Sequence, residues 1–324
     1  MAPQPANGGI ATCPQTDATI LAGCYASPAP RLLMGVLRMP HSNIILVLTD
    51  DQGVWAAGCY GNREIRTPNM DRLAASGMRF NHFFCASPVC SPSRATLLTG
   101  RIPSQHGVHD WIRDADVGPG ALRFMQRETT YTDILARAGW TCSLSGKWHL
   151  GDSQVPQNGF TDWYAHQRGG GDYRAFPMVR DGQLVTEHGY VTDAITDEAI
   201  RQLDRHAAAG RRFYLSVHYT APHSPWIGQH PQDIVESYDD CPFQSCPQEP
   251  RHPWAIWLTD ENLGKRESLK GYFAAVTAMD RGLGRILDRV EALGLRESTL
   301  IIFLSDNGFS CGHHGFWGKG NGTN

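Results

Sequence analysis

The chain has 324 residues, 41% hydrophobic and 19% charged, an ordinary globular composition with enough length for a large core. Its 29 basic and 32 acidic residues give a net charge of −3, which excludes the strongly basic surface of a nucleic-acid binder. No run is long and apolar enough to read as a membrane span, so neither nucleic acid nor membrane is an expected partner.

The nine cysteines are mostly far apart and show no zinc-site spacing, and Cys241 and Cys246 could either close a small loop or stay reduced. Residues 1–38 are rich in Ala, Pro, Gly, Thr and Ser and lack periodicity. No lysine or arginine precedes Arg31 and no apolar signal-peptide core is present. This stretch reads as a disordered or misassigned extension, with Met34 or Met39 as the expected start. The lack of a signal points to a cytoplasmic protein.

The run Asn43–Thr49 is apolar throughout, which predicts a strand buried on both faces. It ends in Asp50-Asp51, either a solvated turn or a ligand site beyond the carboxyl end of a strand. Thr67-Pro68-Asn69 starts a helix through Ala75 that Gly77 stops. Met78 to Phe84 alternates enough to predict a strand leading into Cys90-Ser91-Pro92-Ser93-Arg94-Ala95-Thr96-Leu97-Leu98-Thr99-Gly100-Arg101. Pro92 suits the first turn of a helix, Ser91 its N-cap and Gly100 its stop. Cys90 is then expected just ahead of a helix N-terminus, in a field that favours anions, with Arg94 one turn on. That setting predicts an activated thiol. A thiolate phosphatase is excluded, since that loop places five residues between Cys and Arg, and position 96 is Thr.

Cys-x-Pro-Ser-Arg followed by Leu-Thr-Gly-Arg resembles the activation motif of the type I sulfatases, in the alkaline-phosphatase-like superfamily. The resemblance implies that Cys90 is oxidised to 3-oxoalanine (formylglycine), whose hydrate is the nucleophile. It also implies an α/β/α sandwich with a mostly parallel central sheet, and a formylglycine-generating maturation enzyme as partner. Members are usually longer, so residues 39–324 read as the N-terminal part of a catalytic domain cut short at its C-terminus.

Further along, His106, His109, Asp110 and Trp111 lie in a mixed polar and aromatic loop that could line a pocket. Tyr131 to Gly139 is a short helix with a glycine stop, and Trp140 to Ser145 a second core strand. Lys147 and His149 follow it, two apart, and point the same way if extended. Gly-Lys-Trp-His-Leu-Gly again resembles the sulfatases, which implies a sulfate-binding Lys147 and a His149 beside the nucleophile. Residues 160–188 read as short strands covering the site, with a Gly169-Gly170-Gly171 loop. Val191 to Ala208 is an amphipathic helix and Arg212 to Thr220 a third strand. The strand runs into Ala221-Pro222-His223-Ser224-Pro225, a rigid turn presenting His223, and this Pro-His-x-Pro pattern also resembles the family.

Residues 226–262 lack periodicity; Trp226, Trp254 and Trp257 either stack on a substrate ring or pin the loop to the core. Ser268 to Leu293 is a long helix whose stripe from Tyr272 to Val290 faces the core. Thr299–Ser305 repeats the first strand and ends in Asp306-Asn307; His313, His314, Trp317 and Lys319 follow.

Four apolar strands thus end in polar groups, and in a parallel sheet those ends share one edge with the Cys90 loop. Asp50, Asp51, Asp306 and Asn307 offer hard oxygen donors suited to Ca²⁺, with Mg²⁺ the alternative. Arg94, Lys147 and Lys319 with His149 and His223 suit an oxyanion ester. Carried over from the resemblance, residue 90 also joins the metal, Arg94 holds its hydrate, Lys147 and Lys319 take sulfate charge, His223 protonates the leaving alcohol and His149 takes a proton back. The expected activity is hydrolysis of a sulfate monoester, a sulfated carbohydrate or an aryl sulfate. The alternatives are a phosphonate or phosphoester hydrolase of the same superfamily, and an inactive binding fragment.

Overall fold

The computed structural model describes residues 43–114, 116–255 and 264–320. The extension expected at residues 1–38 lies outside them, as does Trp257. In chain order the elements are β1 (Asn43–Thr49), α1 (Pro68–Ala75), α2 (Cys90–Thr99), α3 (Pro103–His106), α4 (Tyr131–Arg137), β2 (Thr141–Lys147), β3 (Phe160–His166), β4 (Ala175–Arg180) and β5 (Gln183–His188). They continue with α5 (Val191–Ala209), β6 (Phe213–His218), α6 (Gln232–Glu236), α7 (Arg266–Ala292), β7 (Thr299–Ser305) and the short pair β8 (Ser310–Cys311) and β9 (Trp317–Gly318).

Seven strands form one sheet in the order β5-β4-β3-β2-β6-β1-β7. β3, β2, β6, β1 and β7 run parallel, and β4 pairs antiparallel with both β3 and β5. Successive side chains of a strand face opposite ways. In β1 this sends Ile45 and Val47 into one apolar cluster with α5 and α7, while Leu46 and Leu48 join another with α2 and α4. A strand apolar from Ile44 to Leu48 therefore has helices on both faces, which is the α/β/α sandwich the resemblance implied. Among the described residues, no helix is long and apolar enough to cross a membrane.

Two expectations need correction. Met78 to Phe84 form no strand; Met78 and Phe84 are about four-fifths exposed (80% and 77%). Alternation alone makes no strand without a neighbour to bond, and none of the described strands pairs with this stretch. The strands within 160–188 do not cover the site but extend the sheet beyond β2. The loop after β6 contains α6, and Trp226 packs edge-on against Tyr272, Phe309 and Trp317, so it pins that loop. Trp254 is exposed. All seven described cysteines are free, including Cys241 and Cys246.

Thr67 stands at the start of α1, yet its side chain does not cap the helix. The buried Asp280 of α7 does so from across the core: its carboxylate accepts from Asn69 N at 3.1 Å and Met70 N at 2.8 Å. This bond ties α1 to α7 and fills the role a local cap usually has. Asp280→Ala leaves those N–H groups unpaired in the interior, and is expected to lower stability by about 2 kcal/mol in denaturant unfolding.

Candidate active site

The carboxyl ends of β2, β6, β1 and β7 lie side by side, and every predicted site residue sits at or beyond them or in the first turns of α2. Backbone bonds hold the ends together past the strands: Asp50 N donates to Ala221 O at 3.1 Å, and Asp306 N to Thr49 O at 3.0 Å. Asp51 has φ of 66°, a left-handed turn that an aspartate tolerates. Its N–H donates to Asp306 Oδ1 at 3.2 Å, and the Tyr272 hydroxyl donates to its carbonyl at 2.8 Å. Tyr272 belongs to the predicted core stripe of α7, but its polar tip fixes the turn that carries Asp51.

Cys90 opens α2 itself, with Val89 at the N-cap. The expected Ser91 cap does not form. Its hydroxyl instead accepts from Ile112 N at 3.2 Å, and the carbonyl of Ile112 meets His149 Nε2 at 2.9 Å. Cys90 Sγ lies 3.4 Å from Asp50 Oδ1 and 2.8 Å from Lys319 Nζ. The expected activated thiol is overturned: burial, reinforced by the Asp50 carboxylate, pushes the Cys90 thiol up to about 12. Burial and the Asp50 carboxylate outweigh the Lys147 charge and the partial charge of the helix end.

Two ion pairs are almost wholly buried. Lys147 Nζ bonds Asp50 Oδ2, and Arg94 Nη2 lies 2.9 Å from Asp306 Oδ2. Arg94 also donates from Nε to Asp306 Oδ2 at 3.0 Å and from Nη1 to the Lys147 carbonyl at 3.0 Å. Burial alone would raise the Asp50 carboxyl, but Lys147, His223, Lys319 and Arg94 together hold it well below the usual carboxylate range. Asp306 goes the other way: burial and repulsion from Asp50 push it up to about 7, despite Arg94 and Lys147. Lys319 Nζ reaches Asp51 Oδ1 at 2.6 Å, and although burial disfavours its charge, Asp51 and Asp50 raise the ammonium above its ordinary range.

The two histidines differ. His149 is buried, with φ of 58°, so the extended geometry expected for residues 147–149 does not hold. Burial and then the Lys147 charge keep its imidazole well below its ordinary value. Its Nε2 faces a carbonyl, so that nitrogen carries the proton; Nδ1 is buried without a partner. His223 is partly open, at 26% side-chain exposure, on a turn whose Ala221–Pro222 and Ser224–Pro225 bonds are both cis. Its Nδ1 donates to Ser224 O at 2.7 Å, and its Nε2 lies 3.8 Å from Asp51 Oδ2.

The oxygen donors form one contiguous set. Single carboxylate oxygens of Asp50, Asp51 and Asp306 all lie within 4.8 Å of one another. Asn307 Nδ2 donates to Asp51 Oδ1 at 2.7 Å, while its own Oδ1 is buried with no partner. Three buried carboxylates and an unpaired amide oxygen fit a hard divalent cation. Three cationic side chains already balance the three carboxylates, so a divalent ion would leave the pocket positive and suited to an anion.

The structure also gives roles to residues to which the sequence reading assigned none. Ser93 Oγ donates to the Asp306 carbonyl. His218, at the end of β6, lies 3.1 Å from the Lys147 carbonyl through Nδ1, and burial pulls it down to about 3. No motif marks His218; only the strand order next to Lys147 does. Because Arg94 neutralises a buried carboxylate, Arg94→Ala is expected to cost about 3–5 kcal/mol in unfolding experiments, with Arg94→Lys intermediate because it keeps the charge and loses the fork.

Residues 42–324 match the family model described as Sulfatase. The N-acetylglucosamine-6-O-sulfatase of Bacteroides thetaiotaomicron is 28% identical, over 86% of this chain and 60% of its own length. The N-acetylgalactosamine-6-sulfatase of Canis lupus familiaris is 32% identical, over 82% of this chain and 50% of its own. The chain thus spans roughly half to three-fifths of these relatives (50% and 60%). Among solved structures, a protein in complex with its substrate D-glucosamine-2-N,6-O-disulfate superposes with a TM-score of 0.69 at 26% identity, covering 86% of this chain and 67% of that one. Ps i-CgsB superposes with a TM-score of 0.67 at 29% identity, covering 84% and 60%. Membership implies, in general terms, a metal ion and a formylglycine. With a match over nearly its whole described length and the fold and charge cluster above, this chain belongs to the sulfatase family.

Proposed function

We propose that this chain is the catalytic part of a sulfuric ester hydrolase that cleaves a sulfate monoester of a carbohydrate. The observation that carries the reading is the convergence on one atom, Cys90 Sγ, of Asp50 at 3.4 Å and Lys319 at 2.8 Å within a cluster of six buried or half-buried charges. A thiol pushed up to about 12 is a poor nucleophile at neutral pH, so position 90 makes chemical sense as a site of modification to formylglycine by a maturation enzyme. The formylglycine would supply an oxygen nucleophile in place of sulfur. Asp50, Asp51, Asp306 and Asn307, with an oxygen at position 90, would hold Ca²⁺ or Mg²⁺, which supplies charge to the sulfate oxygens.

The chain's own residues then divide the work. Arg94, one turn along α2 and clamped by Asp306, sets its fixed positive charge beside position 90. Lys147 and Lys319 take up the negative charge of the sulfate as the S–O bond to the alcohol breaks. His223 gives the leaving alcohol oxygen a proton from Nε2, and the unpartnered Nδ1 of His149 accepts one as sulfate departs. The carbohydrate assignment is supported by relatives named for N-acetylglucosamine and N-acetylgalactosamine sulfates. It is also supported by Trp111, half exposed at 52% with the Arg113 guanidinium 5.0 Å from its ring centroid, one residue before the Ile112 whose carbonyl His149 meets.

The test is peptide mass analysis of residue 90 after co-production with a formylglycine-generating enzyme, followed by turnover of 6-sulfated N-acetylhexosamines, an aryl sulfate and an aryl phosphonate. The expected result is loss of one sulfur and two hydrogens with gain of one oxygen, and preference for the sulfates. Cys90→Ala and metal chelation each remove turnover. An enzyme indifferent to both, or faster on the phosphonate, would overturn the assignment. His223→Asn is expected to lower kcat about 100-fold or more on sugar sulfates and much less on aryl sulfates, whose phenolates leave without a proton.

A further inference from the structure

The loop that joins β3 to β4 takes no part in the reaction above, yet it lies against both imidazoles. A Cβ built on Gly169 would stand 2.2 Å from Cε1, 2.4 Å from Nε2 and 2.7 Å from Nδ1 of His149. One built on Gly170 would stand 3.0 Å from Nδ1 and 3.2 Å from Cε1 of His223. The first set lies far inside any contact between real atoms, and the second is tight. Neither glycine is among those with positive φ, in contrast to Gly171 at 154°. The backbone at 169 and 170 would therefore accept any residue, and what demands glycine there is the space the two rings occupy.

The loop is fixed at both ends. Gln167 N donates to Pro177 O at 3.0 Å, and its carbonyl accepts from Ser153 Oγ at 2.9 Å. At the other end the buried Tyr173 donates its hydroxyl to His223 O at 2.7 Å, and its N–H bonds Gln229 Oε1 at 2.9 Å. One anchored segment thus touches the ring of His149, the ring of His223 and the backbone of His223.

We propose that Gly169 and Gly170 are positioning residues that form a bare backbone wall seating the imidazoles of His149 and His223, so that a side chain at either position displaces the ring it faces. The proposal rests on the proton-transfer roles given to those histidines under the proposed function. Its test is a pair of double-mutant cycles, Gly169→Ala with His149→Ala and Gly170→Ala with His223→Ala, read in the matured chain by kcat, KM and melting temperature. Gly169→Ala is expected to lower kcat by about 10-fold or more with KM within about 3-fold, and to add less than about 2-fold once His149 is Ala. Gly170→Ala behaves the same way towards His223, with a smaller loss. Equal losses with and without the ring would overturn the proposal and leave the loop a scaffold only, as would full activity of Gly169→Ala. Should the wild type hydrolyse no sulfate ester, the functional reading fails by itself. The melting temperatures then decide the contact alone: a loss in Gly169→Ala that vanishes with His149→Ala supports it, and equal losses overturn it. The part-exposed His223 keeps the second cycle available if His149→Ala does not fold.

Discussion

The cost of taking charge out of water governs this structure. Lys147 and Asp50 are both fully buried, and Arg94 and Asp306 nearly so. Each of those ions alone would be costly in the interior, and each is tolerated only because a partner of opposite sign is held against it. The pairing needs four separate segments to arrive together: the ends of β1, β2 and β7 and the first turns of α2. A sheet of parallel strands does this with no further device, because all its carboxyl ends lie on one edge. The apolar faces of β1, packed on helices from both sides, stabilise the arrangement that keeps the ions in place.

The charged cluster is in turn held by ordinary neutral groups. The Tyr272 hydroxyl accepts from Gly53 N at 3.1 Å and donates to the Asp51 carbonyl, so a core residue of α7 fixes the turn that carries two carboxylates. Ile112 does the same between α2 and His149 using only its backbone. His166 and His218 are buried next to Lys147, and burial brings them down to about 4 and about 3, so they add no positive charge to a pocket that already holds three cations. Further buried cations there would each need a partner of opposite sign, and those partners would compete for the same groups.

Much of the frame was legible in the sequence. Asn43–Thr49 and Thr299–Ser305 were readable to the residue because a parallel strand is a nearly continuous apolar run, although β7 lies at the sheet edge and is only partly buried. Val191–Ala209 and Arg266–Ala292 were readable because a helix against a sheet must show its stripe at the helical period. The polar residues ending the strands fall on one edge by parallel-sheet geometry alone. Elements that depend on a neighbour were not legible. Met78 to Phe84 has strand-like alternation and no partner strand among those described. Residues 160–188 gave no hint that they would continue the sheet, since pairing is a property of two segments.

Sequence by itself determined which chemical groups are present and which elements carry them, because periodicity, helix stops and residue type are local properties. It placed Cys90 beside Arg94, Lys147 near His149, Asp50-Asp51 after one strand and Asp306-Asn307 after another. Tertiary structure alone decided what those groups are worth. Local reading put Cys90 in the positive field of a helix end, whereas the fold sets it against Asp50 in a dry interior, and the loss of water outweighs that field. His149 looked extended from local spacing, whereas its left-handed turn brings its ring to Ile112 and under Gly169. Protonation and ring position are set by burial and by neighbours within a few ångströms, and those neighbours come from parts of the chain that only folding brings together.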